Sequence, residues 1–253
     1  MSYVWALLLG LLQGLTEFLP VSSSGHLVIV QSLIPGFTQP GVLFDVVLHA
    51  GTLFAILYFF RDKIKKLTGN YLLLLLIGSI PVALFGFLFR SEVEGFFGNV
   101  KIVGIALFVT ALFNFFTDKI KTSRNLDLNS NRNLPLREIT LIGLLQALAI
   151  IPGISRSGAT IFAGTEVGMS RKDAAEFSFL LSVPAVFGAN ALQFFVRQTD
   201  NNVNLGLYVL GFFASFVSGY IAIKLVMKFL QEKRFRIFAY YAVVVGLISI
   251  LLL

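Results

Sequence analysis

Long blocks of apolar residues, separated by short polar segments, run along the whole chain. Six blocks are long enough to cross a bilayer, because a spanning helix needs about 20 mostly apolar residues. The predicted spanning helices cover residues 40–60, 71–90, 101–117, 174–195, 205–225 and 237–253. The pattern predicts an all-α integral membrane protein.

Two further apolar segments, 4–35 and 139–170, are interrupted by Pro, Gly, Ser and charged residues. Irregular backbone at membrane depth is tolerated where it is buried in protein or lines a polar cavity. We therefore interpret each segment as a re-entrant helical hairpin, which enters the membrane and turns back. A single kinked spanning helix is the alternative for each segment.

Composition and charge agree with this interpretation. Hydrophobic residues make up 57% of the 253 residues and charged residues 13%, whereas a soluble domain is about a quarter charged. The net charge of +7 could suggest nucleic acid. The basic residues instead cluster at 61–66, 119–137 and 224–236, in short loops that the positive-inside rule places in the cytoplasm. Nucleic acid is therefore not an expected partner, and the loops near 92–94 and 200–204 are external.

The two halves of the chain resemble each other at a constant offset of 133 residues. The tetrapeptide Gly-Leu-Leu-Gln at 10–13 recurs at 143–146, and Ser-x-Ser-Gly at 22–25 recurs at 155–158. Phe44 matches Phe177 at the same offset. This repetition across a hairpin and the helix after it is difficult to attribute to apolar composition.

Each half has an odd number of predicted crossings, so the halves are inverted relative to each other in the membrane. We predict inverted-topology repeats at 1–125 and 139–253, joined by a cytoplasmic linker at 126–138. Inverted repeats with broken helices place their polar site near the midplane, between the halves.

The first hairpin carries a carboxylate within an apolar segment. Gln13 and Glu17 are four residues apart and share one helix face, and Pro20 ends that helix. The polar and small residues that follow are Ser22, Ser23, Ser24, Gly25 and His26. An intramembrane carboxylate marks a functional site by default. The alternatives are a Glu17 that reaches the interface or one satisfied by an interhelical hydrogen bond.

The second hairpin carries a matching loop of hydroxyls, glycine and one arginine. Its candidate ligands are Ser155, Arg156, Ser157, Gly158 and Thr160. Backbone N–H groups at a helix N-terminus bind phosphate, and arginine binds phosphate oxygens in a bidentate manner. The alternative is an interfacial loop that places Arg156 on a lipid headgroup. Because the two loops are repeat partners, we expect them to meet in one site.

Three weaker candidates lie on the helices that follow the hairpins. Asp45 and His49 are again four residues apart, and could support the site or face an external vestibule. Glu176 could pair with a nearby arginine or take part in catalysis. The Ser-Val-Pro segment at 182–184 is more typical of a helix kink than of a ligand.

These motifs resemble the undecaprenyl-diphosphate phosphatase family of the bacitracin-resistance type. The matching segments are 13–26, 44–52, 152–160 and 176–184. The resemblance implies hydrolysis of undecaprenyl diphosphate to undecaprenyl phosphate and inorganic phosphate, which recycles the lipid carrier for cell-wall polymer synthesis and gives bacitracin resistance. It also implies a divalent cation, Mg²⁺ or Ca²⁺, and a multi-pass protein of the bacterial plasma (inner) membrane whose active site opens to the outer face.

The resemblance also implies roles for individual residues. Glu17 matches a catalytic acid–base group or metal ligand, and Gln13 stands where some members have Glu, so it is expected to position water or phosphate. Ser23 and His26 match the proposed nucleophile and the essential histidine, and attack by Ser23, His26 or water is left open. Arg156 belongs to the diphosphate-binding loop. The resemblance leaves a homodimer open.

Two other functions are alternatives to the hydrolysis of undecaprenyl diphosphate. Type-2 phosphatidate phosphatases need a histidine after their Ser-Arg motif, and no histidine follows Arg156 in this chain. A transporter or flippase of polyprenyl phosphate lipids would share the inverted repeats and Arg156. His26 close to Glu17 favours hydrolysis, because a carrier needs no proton-transfer groups.

Overall fold

The computed structural model describes residues 1–34, 42–120, 134–196, 204–231 and 234–253, and the regular elements within these ranges are helices. Those of the first half are α1 (Tyr3–Phe18), α2 (Ser23–Ser32), α3 (Val42–Phe59), α4 (Arg61–Ile64), α5 (Gly69–Leu88), α6 (Arg90–Phe96) and α7 (Val100–Thr117). Those of the second half are α8 (Leu136–Leu148), α9 (Arg156–Glu166), α10 (Arg171–Val196), α11 (Leu205–Gln231) and α12 (Arg236–Leu251).

The six predicted spans coincide with helices. Among them α5, α7, α10 and α11 are long and apolar enough to cross a membrane, and α3 and α12 are shorter apolar helices. Large apolar side chains face outward: Phe87 in α5 and Leu251 in α12 expose 71% and 74% of their surface. Such exposure is unfavourable in water and suits contact with lipid. The predicted all-α integral membrane fold is confirmed.

Both interrupted segments break at proline and restart at a serine cap. Pro20 disfavours helical backbone at the residue before it, and Leu19 is accordingly extended, with a ψ angle of 141°. The next helix, α2, begins after Ser22, whose hydroxyl accepts a hydrogen bond from the N–H of Gly25 at 3.3 Å. In the second segment, Ser155 caps α9 in the same way, through the N–H of Gly158 at 3.1 Å.

The helices of the first interrupted segment fold back on each other. Leu9 in α1 and Leu27 in α2 belong to the same buried hydrophobic cluster. In one continuous helix these residues would be about 27 Å apart. Contacts between α1 and α2 recur between α8 and α9. The two helices of each segment therefore pack together as a hairpin, and the re-entry of these hairpins into the membrane remains a prediction.

The offset of 133 residues also relates the packing of the two halves. A Cβ atom added at Gly10 in α1 would lie 2.7 Å from the carbonyl oxygen of Gly211 in α11. A Cβ atom added at Gly143 in α8 would lie 2.6 Å from the carbonyl oxygen of Gly78 in α5. Gly143 and Gly211 follow Gly10 and Gly78 by the same 133 positions. Each hairpin is therefore packed closely against a long helix of the other half.

The last helices of the two halves, α7 and α12, pack antiparallel. Near the start of α7, a Cβ atom at Gly104 would lie 2.9 Å from the carbonyl oxygen of Gly246, late in α12. At the other end, Asp118 accepts a hydrogen bond from the backbone N–H of Arg236 at 2.8 Å. An antiparallel α7 and α12 is what inverted repeats require, and the inverted topology of the halves remains a prediction. The predicted linker at 126–138 lies largely outside the described residues.

Candidate active site

The tips of the two hairpins meet and are joined by hydrogen bonds. Ser22 accepts a hydrogen bond from the backbone N–H of Gly153 at 3.1 Å. Ser157 donates to the carbonyl oxygen of Leu19 at 3.2 Å. These contacts place the N-termini of α2 and α9 side by side, where their helix dipoles favour a negative group.

Helix α7 fixes both tips from one side. Its Thr110 donates to the carbonyl oxygen of Gly153 at 2.7 Å and accepts from the N–H of Ser155 at 2.8 Å. Asn114, one turn further along, donates to the carbonyl oxygen of Pro20 at 2.6 Å. Two polar side chains of a predicted spanning helix thus satisfy backbone groups that the broken helices leave unpaired.

The predicted serine and glycine ligands make equivalent contacts in the two tips. Ser22 and Ser24 hydroxyls lie 3.3 Å apart, and Ser155 and Ser157 hydroxyls lie 3.1 Å apart. Ser22 has a φ angle of +70°, a rare conformation for a residue with a side chain. A Cβ atom at Gly25 would lie 3.0 Å from the Cα atom of Gly153, so the close approach of the tips needs a glycine there.

Glu17 lies at the centre of the polar cluster and is 9% exposed. One carboxylate oxygen, Oε1, accepts a hydrogen bond from Nη2 of Arg156 at 2.6 Å. The other oxygen, Oε2, accepts from Oγ of Ser23 at 2.6 Å and from Nε2 of Gln13 at 3.0 Å. A buried carboxylate is tolerated at membrane depth when it is paired and hydrogen-bonded in this way.

Arg156 is held on its other side by α10. Its Nη1 donates to the carbonyl oxygen of Ser178 at 3.2 Å. The Ser178 hydroxyl lies 2.6 Å from the hydroxyl of Thr160, which donates to the carbonyl oxygen of Arg156 at 2.8 Å. Two of the five guanidinium N–H groups are used by Glu17 and Ser178, and the side chain remains 16% exposed. Arg156 is therefore oriented and still able to bind an anion.

His26 is directed toward α12. Its Nδ1 lies 2.7 Å from the carbonyl oxygen of Ser22, and its Nε2 lies 2.8 Å from the hydroxyl of Tyr241. The two rings stack with centroids 5.6 Å apart, and His26 is 6% exposed. The structure thus brings Glu17, Ser23 and Arg156 together, whereas the two ring nitrogens of His26 bond outside that group. A catalytic role for His26 remains a prediction.

His49, which the sequence marks only as a weaker candidate, is the histidine that approaches Glu17. His49 in α3 places Nε2 3.9 Å from Oε2 of Glu17, and its side chain is 28% exposed. Its Nδ1 lies 2.8 Å from the carbonyl oxygen of Asp45. The spacing of Asp45 and His49 was the available signal, and it did not distinguish the site from an external vestibule.

The remaining candidates lie away from Glu17. Glu176 pairs with Lys63 in α4 rather than with an arginine. Ser182 donates to the carbonyl oxygen of Phe179 in its own helix at 2.7 Å, and Pro184 lies within α10. These contacts give Glu176 and Ser182 structural partners.

Two side chains offer oxygen ligands to a divalent cation: the carboxylate of Glu17 and the amide of Gln13. The amide oxygen of Gln13 is buried without a hydrogen-bond partner among the described residues. It shares a carbon atom with the Nε2 that donates to Glu17, so it lies beside the carboxylate. Within the described residues, no three His, Cys, Asp or Glu side chains lie together in a group that could hold a metal ion. Mg²⁺ commonly combines few protein ligands with water and phosphate oxygens, and this donor set fits that mode of binding.

Fold and site together define an all-α integral membrane protein whose polar cluster lies where two helical hairpins meet. The particular family follows from comparison with known proteins. The chain belongs to the family described as bacitracin resistance protein BacA, whose model matches residues 6–248.

Proteins similar to this chain cover nearly its whole length. An undecaprenyl-diphosphatase of Syntrophotalea carbinolica is 41% identical over 259 residues, which are 97% of each chain. One of Carboxydothermus hydrogenoformans is 41% identical over 261 residues, 100% of this chain and 98% of that protein. One of Methanobrevibacter smithii is 39% identical over 273 residues, 98% of this chain and 96% of that protein.

Proposed function

We propose that this membrane protein hydrolyses undecaprenyl diphosphate to undecaprenyl phosphate and inorganic phosphate. The observation that carries the proposal is the Glu17 carboxylate, which holds Arg156 and Ser23 where the N-termini of α2 and α9 meet. The full-length similarity to undecaprenyl-diphosphatases supports the same reaction. Hydrolysis returns the lipid carrier to cell-wall polymer synthesis and accounts for the link with bacitracin resistance.

The site supplies the electrostatic groups that diphosphate cleavage needs. When the terminal phosphoryl group leaves, negative charge builds on its non-bridging oxygens and on the bridging oxygen. Arg156 and the N-termini of α2 and α9 are fixed beforehand and stabilise that charge without reorganisation. The apolar surface of the surrounding helices accommodates the polyprenyl tail within the bilayer.

The geometry favours two of the three candidate nucleophiles. The Ser23 hydroxyl donates a hydrogen bond to Glu17 at 2.6 Å, so Glu17 is placed to accept the hydroxyl proton if Ser23 attacks phosphorus. Water can attack from the same side of the carboxylate. Direct attack by His26 is disfavoured, because both of its ring nitrogens have hydrogen-bond partners.

A divalent cation, Mg²⁺ or Ca²⁺, would be held by the Glu17 carboxylate and the amide oxygen of Gln13 together with the diphosphate. When bound, such a cation neutralises phosphate charge and polarises the P–O bond. We also propose that the site belongs to the plasma membrane and opens to its outer face. Asp45 and His49 lie near the start of α3, which follows a segment that the loop charges place outside.

The reaction is tested by supplying lipid diphosphate to detergent-solubilised protein with Mg²⁺ or Ca²⁺ and measuring phosphate release. We expect turnover by the wild-type protein and its loss in Glu17→Ala. A purified, folded protein that releases no phosphate, but moves polyprenyl phosphate across liposomes, would establish the flippase in place of the hydrolase.

A further inference from the structure

The two histidines of the chain hold their rings in the same way but present different groups to their surroundings. Nδ1 of His26 faces the carbonyl oxygen of Ser22, and Nδ1 of His49 faces the carbonyl oxygen of Asp45. A carbonyl oxygen accepts hydrogen bonds and cannot donate them, so each Nδ1 carries a hydrogen. In the neutral form of each ring, Nε2 therefore offers a lone pair.

The surroundings of the two Nε2 atoms differ. The Nε2 of His26 lies 2.8 Å from the Tyr241 hydroxyl, which donates to it, and the residue is 6% exposed. The Nε2 of His49 lies 3.9 Å from Oε2 of Glu17, and this side chain is 28% exposed. At 3.9 Å the two atoms are too far apart for a hydrogen bond. With His49 neutral, each atom offers lone pairs, so a group with two hydrogens can bridge them.

We propose that His49 and Glu17 together hold the water molecule that attacks phosphorus. This inference rests on the proposed function and identifies a further catalytic residue for it. The water donates one hydrogen to Nε2 of His49 and the other to Oε2 of Glu17. Ser23 bonds to the same carboxylate oxygen, so the water lies beside the candidate nucleophilic hydroxyl.

Attack by this water needs only a proton acceptor, and Glu17 serves as that acceptor. The water oxygen forms a bond to the terminal phosphorus, and the bond from phosphorus to the bridging oxygen breaks. The bridging oxygen leaves with the electron pair as undecaprenyl phosphate, and the proton of the water passes to Oε2 of Glu17. If Ser23 attacks first, its proton passes to Glu17, and the bond from phosphorus to the bridging oxygen breaks as undecaprenyl phosphate leaves. The same water then attacks the phosphoserine, and the bond from phosphorus to Oγ of Ser23 breaks. Glu17 returns the first proton to Oγ and takes a proton from the water.

The backbone of α3 is fixed on both sides of His49, as a positioned water requires. The carbonyl oxygen of Leu48 accepts a hydrogen bond from Ser215 in α11 at 2.7 Å. A Cβ atom at Gly51 would lie 2.5 Å from the carbonyl oxygen of Phe212, so the two helices approach closely there. Helix α11 also packs against α1, so this packing places α3 and its imidazole beside the hairpin that carries Glu17.

The test compares His49→Ala with His49→Gln in wild-type background. Alanine removes the acceptor, and we expect kcat to fall by about 100-fold with little change in KM, as for other misplaced reactants. Glutamine places an amide oxygen near the position of Nε2, so we expect kcat within about tenfold of wild type. Thr52→Val serves as the matched control, because it removes a hydrogen bond to the His49 carbonyl without touching the imidazole.

The proposal would be overturned if kcat of His49→Ala were close to that of wild type, or if His49→Ala changed only KM. Equal losses of kcat in the alanine and glutamine variants would also overturn it. A large loss in Thr52→Val would likewise assign the effect to the backbone of α3. Turnover by the wild-type protein is measured in the same assay, so the proposed hydrolysis stands or fails separately from the role of His49.

Discussion

Ser23 and Arg156 stand 133 positions apart and bind the two oxygens of one carboxylate, that of Glu17. Each is the first residue of the short helix in its hairpin. The internal repeat therefore brings equivalent positions of the two halves to the same side chain. One half supplies a hydroxyl there and the other a guanidinium, so the site is chemically asymmetric although equivalent positions build it.

Arg156 is expected to need its guanidinium and not charge alone. Lysine lacks the planar fork that reaches Glu17 and Ser178 at once while leaving further donors for phosphate. We expect Arg156→Lys to lower kcat/KM for phosphate release by about 100-fold or more, in line with the loss of one oriented donor to a transition-state oxyanion. Arg137→Ala, which changes an exposed arginine of α8, is the control and should retain turnover. Wild-type turnover in Arg156→Lys would contradict a directional role.

Gln13 is expected to limit the affinity for the divalent cation. Replacing its amide by a carboxylate in Gln13→Glu puts a second negative charge beside Glu17, where the amide oxygen is buried without a hydrogen-bond partner in the described parts of the chain. We expect the Mg²⁺ concentration for half-maximal activity to fall by about tenfold, since ligand charge sets the affinity of such sites.

Thermal unfolding gives a second measurement for Gln13→Glu that does not depend on turnover. With chelator present, two buried carboxylates repel each other and the midpoint temperature should fall below that of wild type. Added Mg²⁺ should restore it, because a ligand that binds the folded state stabilises it. A midpoint that does not respond to Mg²⁺ would place the cation elsewhere.

Tyr241 is expected to influence the reaction through His26. Its hydroxyl donates to Nε2 of His26, and Tyr241→Phe removes that hydrogen bond while keeping the stacked ring. We expect a loss of about 1 kcal/mol of stability, typical of one hydrogen bond, and a modest fall in kcat. His26→Ala should lose more of both, because it also removes the partner of the Ser22 carbonyl.

His26→Ala and Tyr241→Phe together distinguish a role of His26 in proton transfer from a structural role. If His26 takes part in proton transfer, as the family resemblance implies, His26→Ala abolishes turnover while Tyr241→Phe changes the rate through the orientation of the ring. If His26 serves to join α12 to the loop before α2, activity and unfolding temperature fall in parallel in the two variants. Phosphate release and thermal unfolding on the same preparations separate the two cases.

The fold and the meeting of the loops were predictable because they depend on local signals. Apolar blocks of spanning length mark the helices, and Pro20 with the serine caps marks the breaks. The recurrence of Ser-x-Ser-Gly at 22–25 and 155–158 predicted that the two loops form one site, and hydrogen bonds between the loops join them.

The orientation of the imidazoles was not predictable from the same signals. His26 follows the serines directly, which suggested that it faces Glu17, but its partner Tyr241 is 215 positions away. His49 approaches Glu17 because α3 packs against α1 and α11, and no motif records that packing. Helical spacing predicted that Asp45 and His49 share a face, but not which neighbouring helix that face contacts.

The glycines that join the halves are expected to respond to substitution in matching ways. Gly10→Ala and Gly143→Ala each place a Cβ atom within 2.7 Å of a backbone carbonyl oxygen, which belongs to Gly211 or Gly78. Backbone cannot yield as a flexible side chain does, so the hairpin must shift away from its partner helix. We expect each variant to lose about 1–3 kcal/mol of stability, typical of overpacking.

Gly188→Ala is the matched control for these variants, because no atom of the described residues lies within 4 Å of the Cβ atom that it adds to α10. Alanine is the better helix former by about 1 kcal/mol, so this variant should unfold at the wild-type temperature or above it. A shift of the first hairpin also moves Glu17 relative to α10 and Arg156, so Gly10→Ala should lose turnover at temperatures where it remains folded. Full activity in Gly10→Ala, with unfolding like that of Gly188→Ala, would mean that the close approach of α1 and α11 does not fix the position of Glu17.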